Sequence, residues 1–306
     1  MTECERLIQE GIFQADFLRE EVRCDFLVTP LRKKIWAIEI DALLHFDHVC
    51  KQYDLRYFLG FGALLGAVRH RGFIPWDDDI DVLMPREDYD RLFSLAAKFP
   101  APYFLQTPYT DKGSVFSTIR LRNSNTTWMV KAFSAEHFNH GLGIDIFPLD
   151  YWKFTGLEAE ENEMARIIWD NSTFMRRNQI DKTLETEQRV NEYLSRKGEK
   201  SALDDFNHLQ AMARQFAGNP TNCLAVLCVT AYPYYRQKFF ASDFLAFEMF
   251  DFEGSQFRVP IGYHRILTRT YGDYMQFPPP IQRGNWHTNI LFDPDKPYSH
   301  YLNKAF

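Results

Sequence analysis

Residues 60–85 read GFGALLGAVRHRGFIPWDDDIDVLMP, and the rest of the chain is understood outward from them. Three pieces follow one another. A small-residue turn, Gly60-Phe61-Gly62-Ala63, leads into a short apolar helix predicted over 64–71, with Arg69, His70 and Arg71 at its basic end. Gly72 is placed to close that helix as a C′ glycine. Then come four aspartates, Asp77, Asp78, Asp79 and Asp81, running into the apolar Val82-Leu83-Met84. In extended backbone alternate side chains share a face, so Asp77, Asp79 and Asp81 are expected to point one way, and Asp78 and Ile80 the other. Carboxylates this close resist ionising together unless a cation compensates. Hard oxygen ligands of this kind suit Mg²⁺ or Mn²⁺, which typically take one or two carboxylates plus substrate phosphates. An aspartate run is ordinarily a solvated loop, but here a glycine turn and a basic segment stand just upstream.

The order of glycine turn, helix and acidic-x-acidic strand resembles the nucleotidyltransferase fold. The longer string GALLGAVRHRGFIPWDDDIDVLMPREDY is similar to the signature of the LicD family, phosphocholine transferases of bacterial surface polysaccharides and teichoic acids that are related to the fukutin proteins. The turn suits close approach of backbone to an anion, with unpaired N–H groups at the helix start. Gly62, Ala63, Arg69 and His70 are its expected substrate contacts. The family commonly has a hydroxyl-bearing residue after the glycine. Ala63 departs from that pattern, which removes a side-chain phosphate contact and leaves the backbone ones.

Upstream, residues 1–28 read as an amphipathic lead-in. Thr29-Pro30 is a helix start, and Ile35, Ile38, Ala42, Phe46 and Val49 recur at helical spacing, predicting one helix over 31–53. Residues 55–59, LRYFL, suit a first strand. Downstream, 86–98 reads as a second helix and 117–122, STIRLR, as a strand. The following RNSNTT again resembles the family. Arg120, Arg122, Asn123 and Thr126 are candidates for nucleotide contact, beside the plainer reading of a polar hairpin turn. In GLGIDIFPLD, residues 141–150, Asp145 sits alone in an apolar strand, where a charge is rarely placed unless paired or metal-bound. By the resemblance it is the third acidic residue of the site, giving Asp79, Asp81 and Asp145 as the catalytic and metal-binding set. Asp150 reads as a turn or cap.

From 156 to about 218 the composition turns charged and helical, and Tyr232, Tyr234 and Tyr235 follow in an aromatic cluster. The stretch from 252 to 280 resembles the family's closing motif, with Tyr271-Gly272-Asp273-Tyr274-Met275 ahead of the prolines. The expected fold is α+β: a nucleotidyltransferase-like mixed sheet with flanking helices, catalytic core over 29–155, and a mainly helical C-terminal part over 156–306.

The chain has 306 residues, 45% of them hydrophobic and 25% charged, enough for a sizeable core. A net charge of −6 argues against a general nucleic-acid partner. Five cysteines lack metal-ligand spacing, and Cys223 and Cys228 in CLAVLCV read as core. No leader and no membrane-spanning stretch is read, so the expected location is the cytoplasm, with contact at the inner face of the membrane left open.

What the resemblance implies is a phosphotransferase. Mg²⁺ or Mn²⁺ serves as cofactor, a CDP-linked alcohol such as CDP-choline as donor, and a glycan or lipid-linked glycan hydroxyl as acceptor. Transfer of glycerol or ribitol phosphate, nucleotidyl transfer, and a non-catalytic partner in glycan assembly are the alternatives.

Overall fold

The computed structural model describes residues 1–152, 166–167, 169–170, 173, 183–197, 201–215, 222–228, 238–284 and 290–302. A capping box at Thr2 starts α1 (Glu3–Gln9), and a small hairpin, β1 (Glu21–Arg23) and β2 (Phe26–Val28), follows. The Thr29 hydroxyl accepts from the Arg32 N–H and Pro30 occupies the first turn of α2 (Pro30–Gln52). Its stripe of Ile35, Ile38, Ala42, Phe46 and Val49 is buried, as the spacing predicts.

The first strand is shorter than expected, β3 (Phe58–Leu59), and α3 (Phe61–His70) begins directly after Gly60. The helix also ends differently. Arg71, not Gly72, takes the left-handed conformation, with φ of 55°. Gly72 is small for another reason: a Cβ there would lie 2.2 Å from a Glu253 carboxylate oxygen. That carboxylate also accepts from the Phe73 N–H and pairs with Arg23, so it fastens the helix end to the C-terminal hairpin.

Strand β4 (Asp81–Pro85) opens on the last aspartate, and α4 (Arg86–Leu92) follows, continuing as a 3₁₀ turn to Lys98. Then come β5 (Tyr103–Gln106), β6 (Ile119–Asn123), β7 (Thr127–Val130) and the long β8 (Leu142–Trp152). Helices α5 (Leu184–Lys197) and α6 (Ala202–Ala213) bear out helical character beyond 156. The C-terminal part is nonetheless helical only in part. It supplies β9 (Cys223–Ala225), β10 (Lys238–Phe240), the hairpin β11 (Phe247–Phe252) and β12 (Ser255–Pro260), α7 (Tyr263–Tyr271) and β13 (Ile290–Asp293). Tyr232, Tyr234 and Tyr235 lie outside the described residues.

The result is the expected mixed sheet flanked by helices, ordered β10-β9-β8-β4-β3, with β5 and β6 also joined through β8. β8 is its spine. One edge runs parallel to β4; the other pairs antiparallel with β6 and then β9. β7 pairs with β13 rather than with β6, so the hairpin read from RNSNTT is not formed. Asp150 is no turn residue: it lies inside β8, buried, and Arg86 grips it through Nε–Oδ1 at 2.6 Å and Nη2–Oδ2 at 3.0 Å. A buried carboxylate needs such a partner. One apolar cluster runs from Leu7 through α2, α3 and the sheet to Tyr274. No helix among the described residues is long and apolar enough to cross a membrane.

Candidate active site

Strand register brings the aspartates together. Asp81 is the Cα partner of Asp145 across β4 and β8, and Arg120 is the partner of Asp145 across β8 and β6. Paired residues face the same side of a sheet, so Asp81, Asp145 and Arg120 stand abreast on three neighbouring strands. Arg120 Nη2 meets Asp145 Oδ2 at 2.8 Å, and its guanidinium lies 3.6 Å from the centre of the Phe116 ring.

Residues 77–80 precede β4 and are not part of its ladder, yet the alternation read from sequence holds at the cavity. Asp77, Asp79, Asp81 and Asp145 line a cavity of about 650 Å³. Asp78 is not among the lining residues; it is buried, with Oδ2 4.0 Å from Arg32 Nη1. One oxygen from each of Asp77, Asp78 and Asp79 nevertheless lies within 4.8 Å of the others.

The start of α3 forms the opposite wall. Gly60 offers no capping side chain, and Phe61 holds a φ of 39°, costing on the order of 1–3 kcal/mol. Its ring packs edge-on against Phe147 of β8. At Gly62 a Cβ would fall 2.5 Å from Asp77 Oδ2, so the glycine lets this carboxylate lie against the positive end of the helix. Gly62→Ala is therefore expected to fold and to lose about tenfold in turnover by pushing Asp77 aside. Steady-state kinetics at saturating metal reads this, and unchanged rates would remove Asp77 from the site.

The remaining wall comes from Trp76, next to Asp77, and from far along the chain, Tyr271, Asp273, Tyr274, Gln276 and Phe277. Arg69 joins it to α3, with Nη1 donating to the carbonyls of Tyr274 at 2.6 Å and Gln276 at 3.1 Å. Gly62 and Arg69 thus line the cavity. Ala63 is buried and does not. His70 stacks on Phe277; burial, then the neighbouring Arg69, pull its pKa down to about 4, so it carries no charge at neutral pH.

Arg122, Asn123 and Thr126 are not brought to the cavity. Arg122 donates to the Gln106 side chain and the Gly141 carbonyl, and Asn123 to Glu3. The Thr126 hydroxyl donates to the Asn123 carbonyl and accepts from the Leu142 N–H. Their polar groups tie β6, the following turn and β8 together.

The donor set suits a hard divalent cation. Burial, then the neighbouring Asp79, push the carboxyls of Asp77 and Asp81 well above the usual range, as expected of buried acids that outnumber the cations near them. Beneath them in α2, Glu39 is buried with Oε2 unpartnered. Burial first, and then the four nearby aspartates, push its pKa far up as well. Two kinds of residue escape a reading of sequence here. Asp77 shares the expected face but carries no motif position. Glu39 is hidden in a helix whose only visible signal is its apolar stripe.

Comparison with known proteins accords with this geometry. Residues 54–183 match the LicD/FKTN/FKRP nucleotidyltransferase domain model. A lipopolysaccharide cholinephosphotransferase, LicD of Haemophilus influenzae, is 28% identical over 256 residues, covering 78% of this chain and 89% of that protein. A protein of unassigned function from Rickettsia prowazekii is 27% identical over 143 residues, 40% of this chain and 49% of its own. Residues 54–183 thus carry the likeness to the LicD/FKTN/FKRP nucleotidyltransferase domain.

Proposed function

We propose that this chain is a divalent-metal-dependent phosphotransferase. It moves a phospho-alcohol, phosphocholine in the first instance, from a CDP-linked donor to a sugar hydroxyl of a cell-surface glycan, teichoic acid or lipopolysaccharide precursor. The observation that carries this reading is the pair of Asp81 and Asp145 abreast on β4 and β8, lining one cavity with the glycine turn of α3, while Arg120 of β6 holds Asp145 from outside that lining. The match of residues 54–183 to the LicD/FKTN/FKRP nucleotidyltransferase domain and the lipopolysaccharide cholinephosphotransferase relative support it.

Asp79 and Asp81, with Asp145 beside them, would hold Mg²⁺ or Mn²⁺. When bound, the ion supplies positive charge against the donor's diphosphate and the departing CMP. The protein's own groups do the rest. The N–H groups at the start of α3 receive phosphate oxygens. Asp145, its direction fixed by Arg120, orients the acceptor hydroxyl and takes its proton as the oxygen attacks phosphorus. The new bond joins that oxygen to the phosphocholine phosphorus; the bond to CMP breaks, and CMP leaves with the electron pair.

The aromatic wall is where a donor alcohol is selected. Tyr271, next to Asp273, is the ring assigned to a quaternary ammonium, which offers no N–H and is held by aromatic faces. CDP-choline should bind more tightly than CDP-ethanolamine, and Tyr271→Leu should weaken CDP-choline about two- to thirtyfold while narrowing that gap. The test incubates the protein with Mg²⁺, candidate glycans and a panel of CDP-choline, CDP-ethanolamine, CDP-glycerol and CDP-ribitol, followed by mass spectrometry. Turnover of the last two without CDP-choline would reject choline and keep the phosphotransferase.

A further inference from the structure

The acidic segment is held from a direction that the proposed chemistry leaves unused. Residues 77–80 lie ahead of β4, and the ladder reaches them only at Ile80, whose carbonyl accepts from the Asp145 N–H at 3.0 Å. Three carboxylate oxygens within 4.8 Å of one another push such a segment apart.

What opposes the push is the first half of α2. Arg32 Nη1 donates to the main-chain carbonyl of Asp77 at 2.7 Å, and Trp36 Nε1 donates to the same carbonyl at 2.9 Å. Four residues apart, the two side chains leave the helix on one face and converge on one acceptor. Both are themselves fixed. The Arg32 N–H is tied to the Thr29 hydroxyl at the helix start. Trp36 is wholly buried and lies flat on Phe73, with ring centres 4.6 Å apart and planes 1° from parallel. Arg32 also faces Asp78 at 4.0 Å, so the one cation both grips the backbone and offsets an acid of the cluster. A carbonyl taking two N–H donors, one of them charged, is a strong anchor for a bend.

We infer that Arg32 and Trp36 are positioning residues that fix the segment from Asp77 to Asp79, and with it the carboxylate of Asp79, and so set the affinity of the site for a divalent cation. The inference rests on the metal-binding reading given above. Neither residue touches the reacting groups, so the effect belongs in metal affinity before it belongs in the chemical step. Second-layer partners of metal ligands typically change affinity tenfold or more when lost.

The test is calorimetric titration of Mn²⁺ into the whole chain, wild type against Trp36→Phe, Arg32→Gln and Arg32→Lys, with circular dichroism in EDTA reporting the metal-free fold. Trp36→Phe keeps the stacking ring and loses only the indole N–H; it is expected to bind Mn²⁺ about three- to tenfold more weakly. Arg32→Gln loses the charge as well and is expected to bind about tenfold or more weakly. Arg32→Lys should recover part of that loss. Affinities equal to wild type in both Trp36→Phe and Arg32→Gln overturn the positioning role and leave the metal site standing. Absence of Mn²⁺ binding by the wild type overturns the metal reading and this role with it. If Trp36→Phe does not fold, Arg32→Gln decides, because Arg32 lies at the partly exposed start of the helix.

Discussion

Asp79→Asn and Asp81→Asn each yield a folded protein whose turnover is down on the order of a thousandfold, the loss expected when several kcal/mol of transition-state charge stabilisation is removed. Asparagine keeps the size of aspartate and gives up the charge. Folding survives for a reason visible in the site. The Asp81 carboxyl is pushed up by burial and then by Asp79 and Asp145. A carboxyl whose folded pKa is raised costs stability once pH rises past its ordinary value, and the whole cost is present above the raised one. At neutral pH without metal, Asp81→Asn removes that cost, so the variant should melt no lower than wild type in EDTA. Chelation should reproduce the kinetic loss in the wild type, and Mg²⁺ or Mn²⁺ should restore the wild type alone. Full activity of the double variant would remove these residues from the chemistry.

The second large effect separates two aspartates. Asp145→Asn is expected to lower turnover on the order of a few hundredfold, within the range for loss of a general base. Asp78→Asn should cost only about tenfold. The difference follows from where each one points. Asp145 lines the cavity abreast of Asp81 and is braced by Arg120 at 2.8 Å. Asp78 is buried toward Arg32 and does not line the cavity. Its oxygen still stands near those of Asp77 and Asp79, which is why some loss is expected. The check is kcat at saturating donor and metal for both variants; equal losses would mean that the cavity face carries no special chemistry.

The parts of this molecule that could be read without coordinates share a property: their signal is local. Thr29-Pro30 starts a helix because cap chemistry concerns adjacent residues. A lone Asp145 between isoleucines is conspicuous because burying a charge is costly wherever it happens. Alternation separates the aspartates that line the cavity from Asp78, although residues 77–80 are not laddered strand and one Asp78 oxygen still lies within 4.8 Å of those of Asp77 and Asp79. What escaped the sequence depends on partners far along the chain. Arg122, Asn123 and Thr126 look like ligand-seeking groups, but their partners are Gln106, Gly141, Glu3 and Leu142, which no short window contains. Gly72 looks like a helix cap, yet the residue that requires its smallness is Glu253. The apolar stripe of α2 announces burial and conceals that Arg32, Trp36 and Glu39 reach the acidic segment from below. Strands β9 and β10 are only three residues each, too short to show a period of their own.

The measurement closest to the central claim is a phosphorus NMR time course of the wild-type protein with CDP-choline and a glycan acceptor pool, run with Mg²⁺ and again with EDTA. The account predicts that CMP accumulates in step with a new phosphodiester on the acceptor, and that EDTA stops both. Free phosphocholine released alongside a CMP-bearing acceptor, or a rate that EDTA leaves untouched, would contradict it.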